Sequence, residues 1–193
     1  MIRRYFLSFW LSAALALFVA LATPAVHAAD VEITEAHLEY TDEGYKLAAV
    51  FNFELNRSLE GAIARGIPLY FTTEVAIRRP RWYWLDERAA STTQTIRISY
   101  NVLTRQYRAA INGSNLQQSF ASLEDAMSLV RRPGRWLVAS PDALRPGEAY
   151  TVAMRMELDI AQLPKPFQVH SINSSDWRLS SDWRYFNFRA DSK

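Results

Sequence analysis

No cysteine occurs anywhere in the 193 residues. Disulfides, thiolate metal sites and thiol nucleophiles are therefore unavailable, and a lipid-modified N-terminal cysteine is excluded. Histidine is almost as scarce. Of the three present, His27 falls in an N-terminal leader-like segment, and His37 and His170 lie far apart. Neither belongs to a metal-ligand spacing such as H-E-x-x-H, and the chain has no G-x-S-x-G elbow, P-loop or G-x-G-x-x-G. The carboxylate pairs Asp86-Glu87 and Glu124-Asp125 are adjacent in sequence, not opposed across a cleft. No catalytic residue, metal ligand or cofactor is assigned on this basis, and the chain reads as non-enzymatic.

The N-terminus reads as a secretory signal. Arg3 and Arg4 give a positive start, Phe6 to Ala22 is uncharged and rich in Leu, Ala and Phe, and Pro24 breaks the helix. Val26-His27-Ala28 places compact residues at the −3 and −1 positions, which predicts cleavage after Ala28. The apolar run is also near the length that spans a bilayer, so an uncleaved inner-membrane anchor is the rival. The 193 residues less 28 leave 165, enough for one domain with a core, residues 29–193. No later run is long and apolar enough to cross a membrane.

Charge of one sign is also lacking. Without Arg3 and Arg4, 20 basic side chains meet 20 acidic ones, which argues against nucleic acid as a partner. The distribution is uneven. Asp30 to Glu60 is acidic, opposed only by Lys46 and Arg57, and Arg78 to Arg108 is basic, opposed only by Asp86 and Glu87. The expectation is that the two stretches lie side by side in a sheet and neutralise each other.

What is present is alternation. Tyr45, Leu47, Ala49, Phe51, Phe53 and Leu55 fall on one face, with Lys46, Asn52 and Glu54 on the other. Thr41-Asp42-Glu43-Gly44 before them reads as a turn with Gly44 at positive φ, so Val31 to Tyr40 is the first strand of a hairpin. Glu148 to Ile160 and Leu69 to Ile77 alternate similarly, and Thr95 to Val102 with Gln106 to Ile111 reads as another hairpin. Two short helices interrupt the strands. Ser58 is the predicted N-cap of Leu59 to Arg65, and Ser122 that of Leu123 to Arg132. Seven or eight strands with two short helices predict an all-β antiparallel sandwich, immunoglobulin-like in size.

The densest cluster of interaction-prone residues is "RRPRWYWLDERAAS", residues 78–91. On a continuing strand Trp82 and Trp84 share a face, and Arg79, Arg81 and Tyr83 share the other. Pro80 cannot donate to a ladder, so the strand is an edge or ends there. One reading buries the tryptophans and leaves the arginines as charged guards against edge pairing. The other makes Arg78, Arg79, Arg81, Trp82, Tyr83, Trp84 and Arg88 a binding face, since Trp, Tyr and Arg dominate hot spots. Near the C-terminus, Ser174-Ser175-Asp176-Trp177-Arg178 recurs as Ser180-Ser181-Asp182-Trp183-Arg184. Spacing by six puts Trp177 and Trp183 on one face of a continuous strand, or a turn at Ser180-Ser181 pairs the copies. Such a Trp face closes the sandwich or grips a ligand ring.

The segments "RGIPLYFTTEVAIRRPRWYWLDE", "SYNVLTRQYR" and "SSDWRLSSDWRYFNF", behind a secretion signal, resemble the proteobacterial exported proteins grouped as domain-of-unknown-function family 4390. The likeness covers nearly all of residues 29–193. It implies a Gram-negative envelope protein and implies no activity. Members are encoded near membrane sensor histidine kinases, which by association implies a periplasmic signalling accessory. The leading expectation is therefore a periplasmic interaction module for an envelope protein, such as a membrane sensor kinase, acting through the edge around Arg78 to Arg88. The second is a module for glycan or lipid head groups using Trp82, Trp84, Trp177 or Trp183. The third is a hydrolase using His170 with Asp176 or Asp182.

Overall fold

The computed structural model describes residues 31–83, 86–114, 117–172 and 174–190, without the side chains of residues 170 and 172. They form two antiparallel sheets. One has the order β1-β2-β7, from β1 (Glu32–Thr41), β2 (Gly44–Asn52) and β7 (Trp136–Ala139). The other has the order β6-β5-β4-β3-β8-β9, from β3 (Leu69–Arg79), β4 (Glu87–Asn101), β5 (Gln106–Ile111), β6 (Gln117–Phe120), β8 (Ala149–Leu158) and β9 (Arg184–Arg189). Among the described residues there are also three α-helices: α1 (Arg57–Ala64), α2 (Leu123–Arg131) and α3 (Lys165–Ile172). The fold is an all-β, sandwich-like one, with nine strands and one helix more than the sequence alone suggests.

Period-two alternation sets which faces meet. Tyr45, Leu47, Ala49 and Phe51 of β2 are buried, as are Tyr150, Val152, Met154, Met156 and Leu158 of β8. Each of the Leu, Val, Phe and Met side chains among them contributes roughly 1.5–3 kcal/mol on leaving water. The sheets touch through rings: Phe53, just after β2, lies 6.1 Å from Phe71 of β3, and Tyr45 meets Phe188 of β9 edge-on at 5.7 Å. Both faces contribute to one continuous core. The β1–β2 turn uses Gly44 at φ +128°, a backbone angle closed to side chains, with the Ala139 carbonyl only 2.3 Å from where a Cβ would stand.

Three local expectations need correction. The N-cap of α1 is Asn56, whose Oδ1 accepts from the Leu59 amide at 3.0 Å. Ser58 is already inside the helix, and its hydroxyl donates to Asp176 Oδ2 at 2.9 Å. The Ser122 cap of α2 is as expected, accepting from the Asp125 amide at 3.1 Å. The acidic and basic stretches do not neutralise each other within one sheet. Strands β1 and β2 belong to the three-stranded sheet, and the basic stretch lies in the six-stranded one. Finally, of the two readings of Pro80 the second holds: β3 ends just before it, at Arg79, and is no edge. It is paired along its length with β4 on one side and β8 on the other.

Candidate interaction surface at the β3–β4 hairpin

Pairing of β3 with β4 continues to Arg79, opposite Glu87, and stops at Pro80, which has no amide hydrogen to donate. The chain leaves the sheet there, so the face alternation that would hide Trp82 does not persist. Trp82 and Tyr83 sit in a turn, 94% and 66% exposed, their rings meeting edge-on at 5.0 Å. For Trp82 the buried reading is thus overturned. Trp84 lies outside the described residues.

A register shift between Ile77 and Arg78 decides what the arginines face. Continuing the Ile77–Ala90 register would place Arg79 opposite Arg88. The shift instead skips Ala89, setting Arg79 opposite Glu87 and Arg78 opposite Arg88. Bulges re-aim side chains in this way at the ends of ladders. On the core side of the bend, Arg79 donates to Glu148 Oε2 at 2.6 Å and also to Glu87, and Arg81 donates to the same Glu87 oxygen. The Arg81 and Arg79 guanidiniums hold the Glu87 carboxyl below the usual carboxylate range. Glu148 and Glu87 in turn raise the Arg79 pKa. This network ties the base of the hairpin to the start of β8.

On the solvent side, Arg78 and Arg88 stand directly opposite one another, both exposed. Among the described residues neither forms an ion pair. Like charges opposed across a ladder destabilise it. The same row of the sheet carries Thr151 of β8 and Asn187 of β9. Two and four positions along the same face come Tyr185 and Trp183, with ring centroids 6.5 Å apart. Arg155 stacks 4.9 Å above the Trp183 ring while bonding both carboxylate oxygens of Glu74, at 3.2 and 3.3 Å. The outer sheet face thus joins Arg78, Arg88 and Trp183, residues far apart in sequence.

The tandem repeat does not behave as a repeat. Its first copy forms the 3₁₀ turn Ser175–Trp177, and Trp177 is buried, 6% exposed, with Phe167 at 6.3 Å. The second copy bridges Ser180 to Glu157 and Ser181 to Val31, then runs into β9. Trp183 is 40% exposed. The two tryptophans share no face, and the copies do not pair. Arg155, Tyr185 and Glu148 are site residues that sequence reading missed. Only their parity within alternating strands hinted at where they lie.

Of the hydrolase residues, Asp176 is engaged by Ser58, and its main-chain carbonyl accepts from Asn56 Nδ2 at 2.7 Å. His37 bonds Glu39 at 3.3 Å on β1. Among the described residues no three His, Asp or Glu side chains gather as a metal site would require, and no helix is long and apolar enough to cross a membrane. No curated protein and no solved structure matches the chain significantly. A family model does match, over residues 28–187, and on that match the chain belongs to the family described as Domain of unknown function (DUF4390).

Proposed function

We propose that this is a non-enzymatic interaction module exported to the Gram-negative periplasm. There it docks on an acidic patch of an envelope protein through the β3–β4 hairpin tip and the adjoining Arg78–Arg88 pair. The observation that carries this reading is the exposed Trp82–Tyr83 pair, held on a hairpin whose base is fixed by the Arg79, Arg81, Glu87 and Glu148 ion pairs. Trp, Tyr and Arg are the residues enriched at protein hot spots, and this surface presents all three. Export is supported by Arg3, Arg4, the apolar run to Ala22 and the Val26-His27-Ala28 site. The resemblance drawn from the sequence favours a membrane sensor kinase as the partner.

The test is photo-crosslinking in cells from a benzoylphenylalanine at position 83, with mass spectrometry of the adduct. A discrete protein adduct is expected, lost in the Arg78→Glu/Arg88→Glu variant. Truncating Trp82 to alanine should weaken capture by at least about 30-fold, the weight of a hot-spot residue. Absence of an adduct, or an adduct indifferent to charge reversal, would overturn the proposal.

A further inference from the structure

A cavity of about 510 Å³ lies between α1 and α3, lined by Arg57, Ser58, Arg65, Pro166, Phe167 and Trp177. Because α1 leads into the first residue of β3 and the hairpin follows the last, the cavity is at the other end of that strand. Its size is that of small-molecule sites. The floor is aromatic: the Phe167 and Trp177 rings are 6.3 Å apart and inclined by 32°. The rim is cationic. Arg57 and Arg65 are exposed, and among the described residues neither forms an ion pair.

Helical spacing gathers these groups. Ser58 and Arg65 are seven residues apart, two turns along one side of α1, with Arg57 next to them. Gly61 sits between, in mid-helix, where glycine is intrinsically unfavourable. A Cβ there would meet only Arg65 Nη1, at an ordinary 3.5 Å. Packing therefore does not require this glycine. Its effect is to leave the turn between Ser58 and Arg65 without a side chain. One carboxylate, that of Asp176, lies beside the cavity, and it is engaged by the Ser58 hydroxyl. Glu60 of α1 borders a different cavity, with Phe53, Leu123 and Arg131.

We infer that this cavity binds an anionic amphiphile, with a carboxylate or phosphate at Arg57 and Arg65 and an apolar ring or chain against Phe167 and Trp177. Exposed ion pairs alone give little affinity, so a bare anion is a poor ligand. The apolar body supplies the binding and the guanidiniums fix its orientation. The inference does not depend on the hairpin docking surface.

The test is isothermal titration of the exported protein, purified from cells expressing the full chain, with decanoate, decyltrimethylammonium and acetate. Decanoate should bind, and the chain-matched cation and the bare anion should bind at least about tenfold more weakly. Arg57→Gln/Arg65→Gln should weaken decanoate at least about tenfold while leaving Tm unchanged, because both side chains are exposed. Gly61→Leu should also weaken it, by filling the gap beside Arg65, with a Tm equal to or above wild type, as its helix propensity favours, showing that the loss is not one of folding. Monomeric lysophosphatidylglycerol in place of decanoate separates the sources. Tighter binding of the phosphate ester assigns a lipid head group, and tighter binding of decanoate assigns a free carboxylate. No decanoate binding at millimolar concentration, equal binding of the cation, or full binding by the double variant would overturn the inference.

Discussion

Three tryptophans provide the sharpest test of the arrangement. Truncating each to alanine should give losses of stability in the order Trp177, Trp183, Trp82. Trp177 is 6% exposed. An indole that buries about 150–250 Å² at about 25 cal/mol per Å² contributes about 4–6 kcal/mol as an upper bound. Core truncations of this size cost about 3–5 kcal/mol, including the cavity left behind. For a chain of this length each kcal/mol is about 2–4 °C, so Tm should fall by about 6–20 °C. Trp183 keeps two-fifths of its surface in water and leaves no closed cavity when removed. Losing its contact with Arg155 and part of its burial should cost roughly 1–2 kcal/mol. Trp82 is 94% exposed and should cost within about 0.5 kcal/mol, under about 2 °C. Thermal unfolding of the three single variants, followed by circular dichroism at neutral pH, reads all of this directly. Equal losses from Trp82 and Trp177 would refute the exposed hairpin tip. A larger loss at Trp183 than at Trp177 would refute the separation of the two repeat copies.

Acid should loosen the hairpin base. Glu87 titrates below its ordinary 4.5 because Arg81 and Arg79 bond it. Its contribution is therefore fully present above the unfolded value and is lost as pH falls through the lowered folded value. Between about pH 5 and pH 3, wild-type Tm should fall more steeply than that of Glu87→Gln, by a few degrees at most given solvent screening. Parallel pH curves would show that the network adds nothing. Phe51→Asp should prevent soluble expression, since Phe51 is 1% exposed and an unpaired charge would enter the core. Asn52→Asp, one residue on and exposed on the opposite face, should shift Tm by under about 2 °C. Similar damage from both would mean that β2 is turned over.

What could be read from the sequence was whatever repeats locally. β2 and β8 announce their buried faces because Tyr45 to Phe51 and Tyr150 to Leu158 alternate without interruption. Gly44 and Ser122 mark a turn and a cap with the residue types those geometries need. The failures come where local rules compete. Asn56 and Ser58 are both of capping type, and their spacing alone does not say which one accepts the Leu59 amide and which turns to Asp176. Strands β6 and β7 have four residues each, too few for alternation to show. Helix α3 reads KPFQVHSI, whose proline and β-branched residues conceal a helix. At Pro80 the sequence signals that a ladder stops, but not whether the strand is central or at an edge. The number of neighbours depends on β8, more than sixty residues away in sequence. Identical pentapeptides diverged for the same reason: Trp177 and Trp183 have the same local neighbours and different tertiary ones.

The bulge before Arg78 separates two uses of charge within a few residues. Arg79 and Arg81 are spent on Glu87 and Glu148, which fixes the bend. Arg78 and Arg88 are left opposed, an arrangement that weakens a ladder. A sheet built for stability alone would place a carboxylate at one of those positions, as it does one residue further on with Arg79 and Glu87. An acidic partner at this face would supply the missing counter-charge. The folded protein then bears the repulsion only while unbound, and docking removes it, so affinity gains from relief of strain as well as from new contacts. Replacing Arg88 with glutamate would satisfy Arg78 internally. On this argument that variant should unfold at higher temperature than wild type and at the same time lose its partner. A gain in stability with partner capture intact would show that the like-charged pair has no part in docking.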